Sequence, residues 1–315
     1  MEKTYNLFKK FIPIIILLSF LGLIFGIFSL IYYYNDYTIS ISFGNVIPIF
    51  AISFAVLAIV AYVILVIKTP TIHIKRLKKD LGFSKFAAAL AAALVTALFL
   101  FDFIKFILPS TSLMTLKIVR LPVTIPFIIY FILELVPSKL RRKKINIPSW
   151  LPPICSLCAI AWCVIGLLSI YFWSGEGSLP TTNIFKLLHM LYYAVAILFF
   201  LSEMGFSYFA KGHRFFIIAS FTLFVVSFVS TGSVMIGMFF NLIPSVTISE
   251  FEVITAFTLG IYALSKMLSV PYTIKYVISR EGSRHHQQHH HHHHHSKQKA
   301  AAGVAKSDIP NDIDI

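Results

Sequence analysis

The sequence has few charged residues. Asp, Glu, Lys and Arg together make up 13% of its 315 residues, about half the share found in soluble domains. Hydrophobic residues make up 57% of the chain, and the mean hydropathy is +0.82. A soluble protein of this size needs more polar surface to cover its core, whereas lipid solvates apolar side chains directly. The composition therefore excludes a soluble globular domain and predicts an integral membrane protein.

The sequence also has few cysteines and none of the common catalytic motifs. Cys155, Cys158 and Cys163 lie in one apolar run, so they indicate no disulfide framework. Cys155 and Cys158 form a CxxC pair, but a zinc or iron–sulfur site needs four ligands. HExxH, GxSxG and phosphate-loop motifs do not occur. We therefore expect no cofactor, and these observations weigh against an enzyme.

Eight apolar runs of about 20 residues can each cross the hydrocarbon core of a bilayer. Backbone groups in lipid need internal hydrogen-bond partners, so each run should be a helix. The predicted fold is an all-α polytopic bundle of about eight transmembrane helices joined by short loops. The runs lie near residues 11–34, 47–68, 84–108, 116–136, 151–173, 184–206, 214–240 and 251–273.

Lys and Arg are concentrated in alternate connections between these runs. One side of the predicted topology holds 23 of the 27 basic residues, with clusters at 75–79 and 139–144. Cytoplasmic loops carry such an excess, so we predict a multi-pass cell-membrane protein with both termini in the cytoplasm. The net charge of +14 then indicates contact with anionic lipid headgroups rather than with nucleic acid. The richness in Ile, Phe and Lys favours a bacterial source.

The C-terminal region differs from the rest of the chain. We divide the sequence into a transmembrane helical domain, 1–280, and a disordered cytoplasmic tail, 281–315, because the tail is polar and repetitive. A histidine-rich tract in the tail could bind a divalent metal weakly and without fixed geometry. The tract consists of His285, His286, His289, His290, His291, His292, His293, His294 and His295.

Asp102, Lys105 and Arg120 are the first candidate functional residues. Asp102 and Lys105 are three residues apart and share a helix face, while Arg120 begins the next run at a depth similar to that of Asp102. A charged group within a span needs a partner or access to water. Two interpretations remain open. One is a polar pocket that binds an ion or small anion, and the other is a structural Asp102–Arg120 pair with Lys105 reaching the headgroups.

Lys266 is the second candidate, because it lies inside the last apolar run. Its side chain could extend to the headgroups. It could also pair with Glu134 or Glu203, which both lie near the ends of their own runs. A buried pair beside Pro271, where a helix can kink, would suit a gate in a transporter.

A third candidate is the polar patch of Ser230, Thr231 and Ser233 in the seventh run. Small hydroxyl residues allow helices to approach closely and to form hydrogen bonds between them. They also line substrate sites in broken transporter helices. Gly22 and Gly26 form a GxxxG pattern in the first run, which is typical of close helix packing.

Two functional hypotheses from different classes fit the sequence. The first is a non-enzymatic interaction or regulatory component of the cell membrane, favoured because the sequence shows no evident central polar cluster. The alternative is a secondary transporter or permease for a small ion or metabolite. The transporter hypothesis assigns the site to Asp102, Lys105, Arg120, Lys266 and the 230–233 patch.

Labelling of single cysteines in intact cells tests the predicted topology. In a chain whose three native cysteines are replaced, an impermeant maleimide should react from outside with one set of positions and spare the other. The reactive set is 40, 112, 178 and 246, and the protected set is 77, 142 and 290. Reaction of the protected set from outside would contradict the positive-inside assignment.

Overall fold

The computed structural model describes residues 2–33, 46–69, 82–107, 115–136, 147–172, 184–209, 212–240, 251–273 and 275. Within these ranges the chain is helical and contains no strand. Eight helices are long and apolar enough to cross a membrane, which confirms the predicted number of spans. The histidine tract and the 281–315 tail lie outside the described residues. The helices are α1 Glu2–Tyr33, α2 Val46–Lys68, α3 Gly82–Ile107, α4 Thr115–Leu135, α5 Leu151–Tyr171, α6 Ile184–Phe209, α7 His213–Phe239 and α8 Phe251–Thr273.

The start of α5 follows from its local sequence. The helix begins after Trp150, with Pro152 and Pro153 in its first turn. Proline is tolerated there because the first amide groups of a helix have no intrahelical acceptor. The sequence therefore predicts this boundary correctly.

The two C-terminal helices occupy the centre of the bundle. In their most apolar windows, 78% of α7 and 72% of α8 is buried by protein, compared with 28% for both α1 and α2. Helices adjacent in sequence pack together from α3 to α7, and α1 and α2 both contact α7. The outer helices therefore present most of their apolar surface to lipid, whereas α7 and α8 are enclosed by neighbours.

Helices α4, α6 and α8 lie beside one another and run parallel. Side chains of α4 contact side chains of α8 at the pairs 120–252, 130–262 and 134–266. The sequence separation is 132 in every pair. A constant separation means that both helices advance in the same direction. In antiparallel helices the sum of the two residue numbers in each contact would be constant instead. Residues 193 and 203 of α6 join the first and second of these levels.

Small residues bring α7 close to its neighbours. A π-helical turn, Ser227–Thr231, interrupts α7, and the Ser227 hydroxyl donates a hydrogen bond to the Ala256 carbonyl of α8 at 2.8 Å. A Cβ atom on Gly260 would overlap Ser227 Oγ and lie 2.5 Å from Ser227 Cβ. On the opposite side of α7, Gly22 of α1 faces Val229. Close packing therefore depends on the absence of a side chain at these glycines.

Replacing Gly260 with alanine should destabilise the bundle. The added methyl group would overpack the α7–α8 contact, at a cost of about 1–3 kcal/mol. Gly205→Ala in α6 is the matched control, because no atom lies within 4 Å of its added Cβ. That control should gain up to about 1 kcal/mol from helix propensity.

Thermal unfolding of the purified full chain in detergent would measure both variants. Adding Ser227→Gly to Gly260→Ala should recover much of the loss, because it removes the overlapping atoms. Equal stability of the Gly260→Ala and Gly205→Ala variants would contradict this packing.

Candidate functional site in two buried charge clusters

The first cluster, named here the Arg120 cluster, joins α4, α6 and α8. Arg120 Nη1 lies 3.0 Å from Glu252 Oε1, and Arg120 Nη2 donates to the Tyr193 hydroxyl at 2.8 Å. Tyr193 in turn donates to Glu252 Oε1 at 2.7 Å. Lys117 Nζ lies 3.7 Å from the other oxygen of Glu252. Arg120 and Glu252 are only 2% and 5% exposed, so each neutralises a charge that lipid and protein cannot solvate.

Aromatic side chains hold the Arg120 guanidinium in place. Its central carbon lies 3.6 Å from the centre of the Trp162 ring of α5, where a cation is attracted to the ring face. Tyr193 can approach because residue 166 is glycine, and a Cβ there would lie 2.5 Å from a Tyr193 ring carbon. Four helices therefore fix the position of one charged group.

Asp102 lies near this cluster but does not pair with Arg120. It is 5% exposed and continues the buried α3 stripe of Val95 and Leu98. It lies within electrostatic reach of Lys117, Glu252 and Arg120, but within the described ranges Arg120 is ion-paired to Glu252 alone. The prediction that Asp102 is the ion-pair partner of Arg120 is therefore wrong. A helix periodicity shows which residues share a face, but not which neighbouring helix supplies the opposite charge.

Lys105 also lies apart from the Arg120–Glu252 pair. Its Nζ is 4.2 Å from the centre of the Phe101 ring on its own helix, and its side chain is partly exposed. Phe101 in turn packs against Phe251 of α8, with ring centres 5.1 Å apart. These contacts tie α3 to the beginning of α8.

Four buried polar atoms around this cluster have no hydrogen-bond partner in the described part of the chain. They are Asp102 Oδ1, Arg120 Nε, His189 Nε2 and the Tyr192 hydroxyl. His189 and Tyr192 both pack on Tyr193, with ring centres 5.4 and 5.1 Å away. An unsatisfied buried polar atom costs about 1–3 kcal/mol. These four atoms are therefore available for further polar contacts.

The second cluster, named here the Lys266 cluster, joins the same three helices further along. Lys266 Nζ lies 2.9 Å from Glu134 of α4 and 2.9 Å from Glu203 of α6. The interpretation in which Lys266 pairs with these glutamates is confirmed, and both of them contribute. Lys266 is 5% exposed, which rules out extension of its amine to the headgroups.

Two tyrosines complete the Lys266 cluster. Tyr130 donates a short hydrogen bond to Glu203 Oε2, and the hydroxyls of Tyr130 and Tyr262 are 3.0 Å apart. Tyr262 also donates to Glu203 Oε1 at 3.4 Å. Glu203 therefore interacts with one ammonium group and two hydroxyls, and it is fully satisfied.

An apolar layer separates the two clusters. Tyr193 and Glu203 are ten positions apart along α6, which is about 15 Å of helix. Phe127 of α4, Phe200 of α6 and Leu259 of α8 fall between the two levels, and each is at most 1% exposed. Phe127 and Phe200 pack edge to face with ring centres 5.5 Å apart. The three helices thus carry charge at two depths, with buried apolar side chains between them.

The serine and threonine patch in α7 has a packing role. Ser230, Thr231 and Ser233 are buried, and their hydroxyls donate to carbonyls of α7 itself, at Val226, Ser227 and Val229. A Cβ on Gly26 of α1 would lie 3.2 Å from Ser233 Cβ. The patch and the GxxxG glycines therefore meet in one helix contact, away from the charged groups.

Several residues of the two clusters are not among the candidate residues predicted from the sequence. The sequence SEFE at 249–252 is typical of a capping box, which predicts a helix-capping role for Glu252, but its carboxylate contacts Arg120, Tyr193 and Lys117. Ser249, the cap residue of that motif, lies outside the described residues. The aromatic members were not identified either. One usable signal is that three spans each carry two polar residues ten positions apart. The pairs are Arg120 and Tyr130, Tyr193 and Glu203, and Glu252 and Tyr262.

The remaining candidates are the cysteines and the histidines of the tail. Cys155 and Cys163 are buried free cysteines, and within the described ranges no group of His, Cys, Asp and Glu residues could hold a metal. The histidines of the tail lie outside those ranges. No protein-family model, curated protein or solved structure matches this chain.

A double-mutant cycle would identify the true partner of Arg120. Arg120→Gln and Glu252→Gln should each destabilise the full chain, because each leaves one buried charge without its counterion. The double variant should be less damaged than the sum, with a coupling energy of about 0.5–3 kcal/mol. Unfolding in detergent would measure the three variants against the wild type.

The matched control is the cycle of Asp102→Asn with Arg120→Gln. The structure predicts a smaller coupling for this pair, because their side chains are not in contact. A larger coupling for Asp102 than for Glu252 would overturn the assignment of the ion pair.

Proposed function

We propose that this chain is an ion-coupled secondary transporter for a small ion or metabolite. The observation that carries the proposal is the presence of two charge clusters on three parallel central helices, with an aromatic layer between them. Ionisable groups inside a membrane bundle are costly and commonly mark ion or substrate pathways. Two clusters at different depths suit a pathway that is closed in the middle.

The alternative of a non-enzymatic interaction or regulatory component loses its main support. That hypothesis depended on the lack of a central polar cluster, and the bundle contains two. A purely structural role needs every buried charge to be matched by a partner. The unpartnered atoms around Arg120 and Asp102 favour a region that receives something polar.

Both clusters connect helices that would have to move in alternating access. Arg120 ties α4 to α8 at one level, and Lys266 ties α8 to α4 and α6 at the other. Opening one end of the pathway breaks one set of ion pairs and leaves the other set intact. The intact set keeps the three helices together, so the two ends open in turn.

The orientation predicted from the sequence assigns each cluster to one side of the membrane. With both termini in the cytoplasm of a bacterial cell, the Arg120 cluster lies toward the outside and the Lys266 cluster toward the cytoplasm. Basic cytoplasmic loops then contact anionic lipid headgroups. Weak binding of a divalent metal by the histidine tract is an accessory property in this proposal, and nucleic acid is no partner.

Transport currents in proteoliposomes would test the proposal. Vesicles containing the full chain should give a transient current for at least one class in a panel of amino acids, organic acids, sugars and inorganic ions under a pH gradient. The double variant Lys266→Met and Glu203→Gln removes one positive and one negative charge together, so neither group is left uncompensated. It should lower that current by about tenfold or more, because tenfold corresponds to only about 1.4 kcal/mol of barrier.

Lys275→Met is the control, because it makes the same change on an exposed residue beyond the end of α8. It should leave the current unchanged. Absence of current for every class, or equal loss in the control, would contradict a transporter that works through the Lys266 cluster.

A further inference from the structure

We infer that Asp102 binds a proton in the state seen here and that loss of this proton redirects Arg120. The ligand is thus a hydrogen ion, and the site is the Asp102 carboxyl group facing the Arg120–Glu252 pair. The role of this proton as the coupling ion of a transporter rests on the proposed function. Proton binding by Asp102 does not depend on that function.

The burial of Asp102 calls for neutralisation. The residue is 95% buried, and its Oδ1 atom has no hydrogen-bond partner among the described residues. It forms no ion pair within those residues either. An isolated carboxylate is among the most costly groups to bury, whereas a protonated carboxyl group is neutral. Proton uptake converts Asp–COO⁻ into Asp–COOH and removes most of that cost.

The neighbouring charges are already engaged with Glu252. The groups that face Asp102 are Lys105 of its own helix, Lys117 and Arg120 of α4, and Glu252 of α8. Arg120 is 3.0 Å and Lys117 is 3.7 Å from Glu252, and Lys105 lies over Phe101. Within this group Asp102 is the carboxylate without a cation in contact. A metal ion would need several oxygen ligands, whereas a proton needs only one.

The contrast with the Lys266 cluster supports this assignment. There, one ammonium group lies 2.9 Å from each of two carboxylates, and two tyrosine hydroxyls donate to one of them or to each other. The glutamates of the Lys266 cluster are therefore matched by cations or hydroxyl donors. In the part of the chain that the structure describes, Asp102 Oδ1 has no such donor, and Asp102 has no ion-pair partner.

Loss of the proton would make Asp102 a competitor of Glu252. A negative charge on Asp102 attracts Arg120 and Lys117, which in this structure hold the beginning of α8 through Glu252. Moving Arg120 toward α3 would release α8 from α4 at this level. The proton on Asp102 thus acts as a switch on the α4–α8 contact, which is how an ion gradient can drive a conformational change.

Infrared difference spectroscopy of the purified full chain would test proton binding directly. Between about pH 6 and pH 9, aspartates in water, with a pKa near 3.9, stay ionised. A protonated carboxyl band in this range should shift when the chain carries aspartate labelled with ¹³C at the side-chain carboxyl. The label identifies Asp102 without mutation, because the other aspartates lie outside the eight apolar runs of the sequence, in polar stretches where a carboxyl group stays ionised in this pH range. These are Asp36, Asp80, Asp308, Asp312 and Asp314.

Variants then test the site and the switch. Asp102→Asn should lose the band, whereas Glu203→Gln, which changes a matched buried carboxylate, should keep it. Glu252→Gln frees Arg120 and Lys117 to pair with Asp102, so most of the band should be lost at pH 7 although Asp102 is still present. Retention of the full band in Glu252→Gln would overturn the switch.

The labelled wild type decides proton binding even if Asp102→Asn fails to fold. If no band shifts with the aspartate label at any pH in this range, proton binding by Asp102 is overturned. A transport current could still be observed in that case, so the proposed function would survive. A band without any transport current would instead preserve proton binding and count against the transporter.

Discussion

The architecture depends on the pairing of the two charges of α8 with groups on α4 and α6. Glu252 and Lys266 lie on the same central helix, and each is 5% exposed. Removing one partner from a buried ion pair typically costs about 3–5 kcal/mol. A rotation of α8 about its axis or a shift along that axis would therefore break pairs at both levels, whereas a tilt can separate one level at a time. The charges fix the register of the three helices, which the apolar contacts alone leave free to slide.

The same pairs explain how a rigid bundle could change state. Each cluster is a discrete arrangement, in which a cation is either in contact with a given carboxylate or it is not. The Lys266 cluster has donors for both of its glutamates, so its pairing changes only when the helices themselves move. The Arg120 cluster is surrounded by unsatisfied atoms and has a second carboxylate within electrostatic reach. A small change in charge there can select between two pairings.

Close packing around α7 supplies the frame for these movements. The Ser227 hydroxyl bonds to the Ala256 carbonyl, and Gly260 leaves no room between the two helices. Because α7 and α8 are fastened along this contact, α8 can move relative to α4 more easily than relative to α7. The tightly packed side and the charged side of α8 thus have different roles in the proposed cycle.

Hydropathy and helix periodicity determined the local part of this structure. They predicted eight apolar helices and the proline start of α5, because apolar length and caps are properties of each segment. For Lys266 they left two possibilities, extension to the headgroups or a pair with Glu134 or Glu203, because the cost of a lone charge does not show how it is relieved. They could not predict that Arg120 pairs with Glu252, 132 residues away, while Asp102 on the adjacent helix forms no ion pair with any residue that the structure describes. That choice depends on the depth and rotation of α8 against α4 and α6, which many contacts across the bundle decide together. Sequence patterns did not identify the aromatic residues of the site, such as Trp162 and Tyr193, for the same reason. The sequence of an apolar span does not indicate which ring faces a charge.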